Sequence, residues 1–201
     1  MSPVPEQSLA FLLFVAAATV SPGGATALAT ASGARFGIRR SFPFIAGISI
    51  GMGAMAVASA SGLASLLLAL PALELAIRAT GTGYLLYLAW RIAWAGSPAD
   101  ATSGIGPLGA FGAAATVLYN PKAWAVTIGA ASSFAHLAGS VVGQVLLIGT
   151  TFLGFAAVSM GLWCVLGYAF RQVLKSEGHW RVLNAVLGAL LAASIIPMWL
   201  G

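Results

Sequence analysis

Charge is nearly missing from this sequence. Lys and Arg number 9, Asp and Glu 4, and together they make 6% of 201 residues. A soluble domain carries about a quarter charged residues, so a surface built from so few cannot be wetted all round. Lipid must cover most of the outside. Cysteine is scarcer still. Cys164 stands alone, which excludes an intramolecular disulfide, a redox pair and a multi-cysteine metal site. His136 and His179 fall in expected links, with neither a His-x-x-x-His spacing nor an acidic cluster, so no metal and no other cofactor is expected. Strand-type alternation is absent, which argues against a barrel. The net charge of +5 comes without a basic patch interleaved with aromatics, so nucleic acid is not an expected partner. No Lys or Arg precedes Arg35, so the positive start of a signal peptide is missing, and the first apolar run is expected to remain as a membrane helix.

What the sequence does hold is apolar length: 60% of its residues are apolar. Six apolar runs stand at about 6–33, 42–64, 71–95, 107–135, 140–169 and 181–200. A spanning helix needs roughly 20 residues, so the whole chain, 1–201, reads as a single transmembrane domain of six helices with no room for a soluble one. The links after runs one, three and five carry Arg35, Arg39, Arg40, Arg91, Arg171, Lys175 and Arg181, whereas the other side carries only Arg78. Basic residues collect on the cytoplasmic side, so both termini are expected to face the periplasm.

Three spans per half make the halves inverted relative to each other, with one repeat at about 1–98 and the other at about 99–201. Matching positions carry matching features. Run one is interrupted by Ser21, Pro22, Gly23 and Gly24, and run four by Asn120, Pro121 and Lys122; the prolines stand 99 positions apart. A proline removes a donor and crowds the carbonyl four residues back, here Ala18 and Val117, and glycine lets the backbone leave helical geometry cheaply. Freed backbone groups in hydrocarbon must find partners. A broken helix also places an N-terminus, with free amides and partial positive charge, inside the membrane, where it suits a carboxylate. Paired interruptions in two halves point to a binding site at the midplane. A plain proline kink is the competing reading for either one alone.

Lys122 is the one charged residue near the centre of a run, and no acid lies at its depth: Glu6, Glu74, Asp100 and Glu177 sit near run ends or links. A charge there is costly unless paired or hydrated. Two roles stand open, a clamp on loosened carbonyls and a partner for an anionic group on a substrate. Glu74 and Arg78, four apart, are expected to pair as a solvated anchor. Tyr84, Tyr87 and Trp90 form a stripe suited to packing or the membrane interface, and Gly47, Gly51, Gly81 and Gly83 suit close helix contacts.

With those residues placed, the chain resembles the LysE/RhtB family of amino-acid exporters over almost its whole length. SPGGATALATASGARFGIRRSFPFIAGISIG resembles that family's N-terminal signature, and GTGYLLYLAWRIA its third helix. LYNPKAW carries its Asn-Pro-Lys motif, and RVLNAVLGALLAAS resembles its last helix. The chain departs at Gly24, where Ser-Pro-Gly-Pro is usual, and after Asn-Pro-Lys, where AVTIGAASSFAH lacks Pro-Gln-Phe. The resemblance implies an exporter of amino acids or related small metabolites in a bacterial inner membrane, an antiporter coupled to the proton-motive force, and not an enzyme.

Other readings compete. An exporter of metal cations would want acids, histidines or cysteines in the membrane. An intramembrane serine protease would need Ser61 within reach of His136. A purely structural protein has no use for paired breaks around a lysine, and a six-span channel is the alternative that sequence excludes least. A site with Lys122 and no carboxylate suits the carboxylate end of a neutral amino acid as the small-molecule substrate. Oligomeric state is left open, a homo-oligomer included.

Overall fold

The computed structural model describes residues 5–62, 69–97 and 108–200. Every regular element among them is helical: α1 (Pro5–Val20), α2 (Gly24–Ala60), α3 (Pro71–Ala93), α4 (Ala110–Leu118), α5 (Pro121–Ser133), α6 (Val141–Val173), α7 (Glu177–Ala193) and α8 (Pro197–Leu200). α2 and α6 are each long and apolar enough to cross a bilayer.

The polarity of the fold is reversed from that of a protein in water. Leu13, Phe42, Val142, Leu162 and Val182 lie on the outside, each more than half exposed. Inside are Thr26, Thr30, Ser41, Ser59, Thr127 and Ser159 among Phe11, Phe44, Ile48 and Phe152. In lipid a polar side chain must be satisfied within the protein, and these are. Thr30 and Thr127 donate to the carbonyls of Thr26 and Ala123 one turn back, at 2.9 and 2.8 Å, and Ser59 donates to Thr127 at 2.9 Å. No buried side-chain nitrogen or oxygen among the described residues lacks a partner.

The expected link between the first two runs is not a loop. α2 runs through it, and only Gly37 leaves helical geometry, at φ 77° and ψ 172°. A straight helix of 37 residues would be about 55 Å long, far beyond a hydrocarbon core of about 30 Å. Gly37 supplies the bend, since its φ is one that side-chain-bearing residues avoid. The Ser41 hydroxyl lies within hydrogen-bond distance of both the Gly37 carbonyl, at 2.8 Å, and the Ser32 hydroxyl, at 2.7 Å. Hydroxyls nine residues apart meet only because the chain folds back between them.

α6 is the post against which both arms of α2 pack. A Cβ at Gly33 would collide with the Cys164 carbonyl, and one at Gly167 with that of Thr30. Gly149 faces Val57 in the other arm. Gly47 likewise lies against the Ala110 backbone and Gly51 against Ala114, so α4 seats on α2 through small residues. Gly83 does not share this role, with nothing within 4 Å of where its Cβ would be. Tyr84 donates to the Gly112 carbonyl at 3.4 Å and its ring meets Tyr119 at 5.7 Å. The Glu74 side chain lies outside the described residues, and the anchor pair with it.

Candidate functional site

Two helix ends meet two helix starts where Lys122 bonds Ser21. α1 stops at Val20, and α2 starts at Gly24. α4 stops at Leu118, and α5 starts at Pro121. The sequence explains both stops: Pro22 and Pro121 cannot donate the next helical bond. At α5 the restart is well specified. Asn120 is the N-cap, its side-chain oxygen accepting from the Lys122 N–H at 3.1 Å, and Pro121 takes the first helical position that suits it. At α2 the restart is held by Thr26, whose hydroxyl accepts from the Gly23 N–H and also lies 2.8 Å from the Gly23 carbonyl.

The carbonyls at the end of α1 are accounted for one by one. Ala17 accepts from the Ser21 N–H at 3.0 Å and Ala18 from the Ser21 hydroxyl at 3.2 Å. Thr19 accepts from the Ser159 hydroxyl at 2.7 Å and Val20 from the Trp163 indole at 3.1 Å, both on α6. Ser21 accepts from Lys122, whose ammonium lies 2.7 Å from its carbonyl oxygen and 2.8 Å from its hydroxyl oxygen. At the other break the Trp124 indole donates to the Leu118 carbonyl at 2.7 Å. The far side of the α1 break is different. The N–H groups of Gly24, Ala25 and Thr26 have no acceptor among the described residues. These amides are the positive end of the α2 dipole.

Of the residues singled out from sequence, Ser21, Asn120 and Lys122 are thus brought together by hydrogen bonds at one locus. Gly23 is beside them: a Cβ there would stand 3.5 Å from Lys122 Cδ, an ordinary contact, and its extended φ of 175° is open to any residue. Gly24 is buried against α7, where a Cβ would come within 2.8 Å of Leu191 and Ser194, so close packing is the reason for glycine here. Pro22 is exposed and Pro121 half-buried. Sequence reasoning missed Thr26, Ser159, Trp163 and Trp124, which satisfy the broken ends. A small cavity of about 40 Å³ lies between the two breaks, with Gly23, Gly24, Ala25, Asn120 and Lys122 in its wall and Met52 and Met160 opposite. One water occupies about 30 Å³ of liquid, so the space as it stands holds about one water and no amino acid. Ser61 donates to the Ala58 carbonyl in its own helix, and no hydrogen bond joins it to His136.

Chemically, the locus is a half-buried ammonium with no carboxylate beside it among the described residues, adjoining free amides at a helix start. Both attract an anion.

Residues 16–194 match the LysE type translocator family. The chain is 30% identical over 184 residues to the cysteine/O-acetylserine efflux protein of Klebsiella pneumoniae, a match covering 90% of this chain and 91% of that one. It is 27% identical to the protein of the same name in Salmonella typhimurium and 25% identical to that of Escherichia coli K12, each over 90% of this chain and 92% of the relative. No solved structure gives a significant match.

Proposed function

The chain belongs to the LysE type translocator family, and from that premise we propose that it exports a small neutral amino acid, with cysteine and O-acetylserine as the first candidates, from a bacterial cytoplasm across the inner membrane. The names of the relatives support the substrate class. The observation that carries the mechanism is the Lys122 ammonium, held by the Ser21 carbonyl and hydroxyl oxygens across the two breaks. Both partners are neutral. A substrate carboxylate is a stronger acceptor than either, and it takes the ammonium from Ser21. Releasing Ser21 unties the end of α1 from α5, so binding and opening are one event. The free amides of Gly24 and Ala25 complete the carboxylate's ligand set. Ser21, Pro22, Gly23, Gly24, Asn120, Pro121 and Lys122 are the site on this reading.

The architecture that suits this is six spans in two inverted three-helix repeats, with α1 and the first arm of α2 as one broken span and α4 with α5 as its counterpart. Basic residues put both termini in the periplasm. The cycle is antiport against protons. The test is export of labelled cysteine and O-acetylserine from loaded vesicles, with and without an imposed proton gradient. Export of neither, or export indifferent to the gradient, refutes the substrate or the coupling respectively.

A further inference from the structure

A second cavity, larger than the one between the breaks, lies elsewhere in the molecule. It measures about 620 Å³ and lies beside the bend of α2, the end of α3 and the start of α7, which carry Arg35, Arg91 and Trp180. By the orientation proposed above this is the cytoplasmic end. Ligand pockets run from about 300 to 1,000 Å³, so its size is that of a binding site, and the break cavity is not.

Its walls are held from three elements. Arg35, on the first arm of α2, donates to the Ala95 carbonyl at 2.8 Å, and Asn184, on α7, donates to that of Gly96 at 2.8 Å. These bonds pin the segment that follows α3, where Gly96 takes a positive φ of 64°. One of the five N–H groups of Arg35 is so used. Arg91, on α3, lies over the face of Tyr87, at 5.6 Å. Neither arginine has a carboxylate partner among the described residues, where the one ion pair is Arg181 with Glu177. Two such guanidinium groups line one cavity, and they suit an anion that accepts more than one bond, as a carboxylate does.

The two cavities are in line. Leu28 and Phe44 wall the larger one. Gly24 and Ile48, one turn away on the same two arms of α2, wall the smaller one. Leu28 and Phe44 are both apolar and buried.

We propose that the large cavity is a capture site, where Arg91 and Arg35 take the carboxylate of the amino acid from the cytoplasm before it passes Leu28 and Phe44 to Lys122. The inference rests on the export reading and adds the place and the residues of first contact. Arg91 is the residue to test, since Arg35 also holds the wall.

Trp90, Trp94 and Trp180 line the cavity and serve as reporters. The purified chain in lipid nanodiscs is titrated with O-acetylserine, and with O-acetylethanolamine, which lacks the carboxylate, while tryptophan emission is read. Export by the same proteins is measured in vesicles. Arg91→Gln is expected to weaken O-acetylserine binding roughly ten- to a hundredfold, to raise KM for export with little change in maximal rate, and to leave O-acetylethanolamine unaffected. Arg91→Lys recovers much of the affinity. Lys122→Met cuts export about ten- to a hundredfold and keeps the vestibule signal. If wild type exports and Arg91→Gln has unchanged affinity and KM, the capture site is wrong and the export reading stands. If phosphatidylglycerol changes the emission and O-acetylserine does not, the occupant is a lipid headgroup and the proposal falls. If wild type neither binds nor exports an amino acid, the export reading falls and this inference with it.

Discussion

Lys122 and Ser21 stand 101 positions apart in the chain, and their side chains meet at 2.8 Å. The same ammonium takes the Ser21 carbonyl at 2.7 Å. One side chain in the first turn of α5 thus bonds two atoms of the residue that follows α1. The site's strength depends on how well the remaining broken ends are satisfied, because an ammonium that had to serve them all would not be released to a substrate.

Ser159 tests that division of labour. Ser159→Ala leaves the Thr19 carbonyl without its donor. Interhelical hydrogen bonds in membranes average about 0.6 kcal/mol and reach about 1.7, and this one is buried at both ends, so a loss of about 1 kcal/mol is expected. The measure is the thermal unfolding midpoint in detergent, with Ser132→Ala as control, whose hydroxyl bonds its own helix at an exposed position. Equal midpoints for the two variants would show that the Thr19 carbonyl finds another partner.

Much of this arrangement was legible in the sequence, and the rest was not for definable reasons. Pro22 and Pro121 are local signals, since each lacks the N–H for the next helical bond, although Pro43 sits inside α2 without ending it. Lys122 was legible because charge is rare in hydrocarbon. Its partner was legible as a carbonyl freed at one of the breaks, with Ser21 among the residues singled out there, but the choice of the Ser21 carbonyl and hydroxyl exists only after α1 and α5 pack. Ser159 and Trp163 were invisible for the same reason. The bend at Gly37 read as a link because three arginines surround it; composition reports the water interface but not whether the backbone stays helical there. The large cavity left no trace, being a gap between elements distant in sequence.

The packing of α2 on α6 makes a second prediction. Gly167→Ala sets a Cβ against the Thr30 carbonyl, and Gly154→Ala meets nothing within 4 Å. Overpacking typically costs about 1 to 3 kcal/mol, whereas alanine in an open helical position gains up to about 1 kcal/mol over glycine. Gly167→Ala is expected to lower the unfolding midpoint and Gly154→Ala to hold or raise it. A Gly167→Ala protein as stable as wild type would mean the two helices are not in backbone contact.

At the start of α5, Asn120 and Pro121 are neighbours with unequal duties. Asn120→Ala removes the cap on the Lys122 amide and should cost about 1 kcal/mol. Pro121→Ala replaces a residue suited to the first helical position with one that is tolerated there. Export is expected to fall more in the first variant than in the second, measured in loaded vesicles. The reverse order would make the proline, and not the cap, the element that shapes the site.

Orientation has its own test. A reporter fused after Gly201 is expected to score as periplasmic, and one inserted near Lys175 as cytoplasmic. The opposite pattern would invert the cycle and put the large cavity on the periplasmic side.

The central claim is that Lys122 exchanges Ser21 for a substrate carboxylate. Lys122→Met keeps the aliphatic stem and removes the charge. A lost charge-assisted bond costs roughly 1.5 to 3 kcal/mol, about ten- to a hundredfold in affinity. The most direct measurement is export of O-acetylserine and of O-acetylethanolamine from loaded vesicles by wild type, Lys122→Met and Lys122→Arg at matched expression. The account predicts that the Met variant loses O-acetylserine export by that factor and the Arg variant recovers part of it, while leakage of O-acetylethanolamine stays low and equal in all three. Normal O-acetylserine export by Lys122→Met would contradict it, and Lys122 would then be a clamp on Ser21 and nothing more.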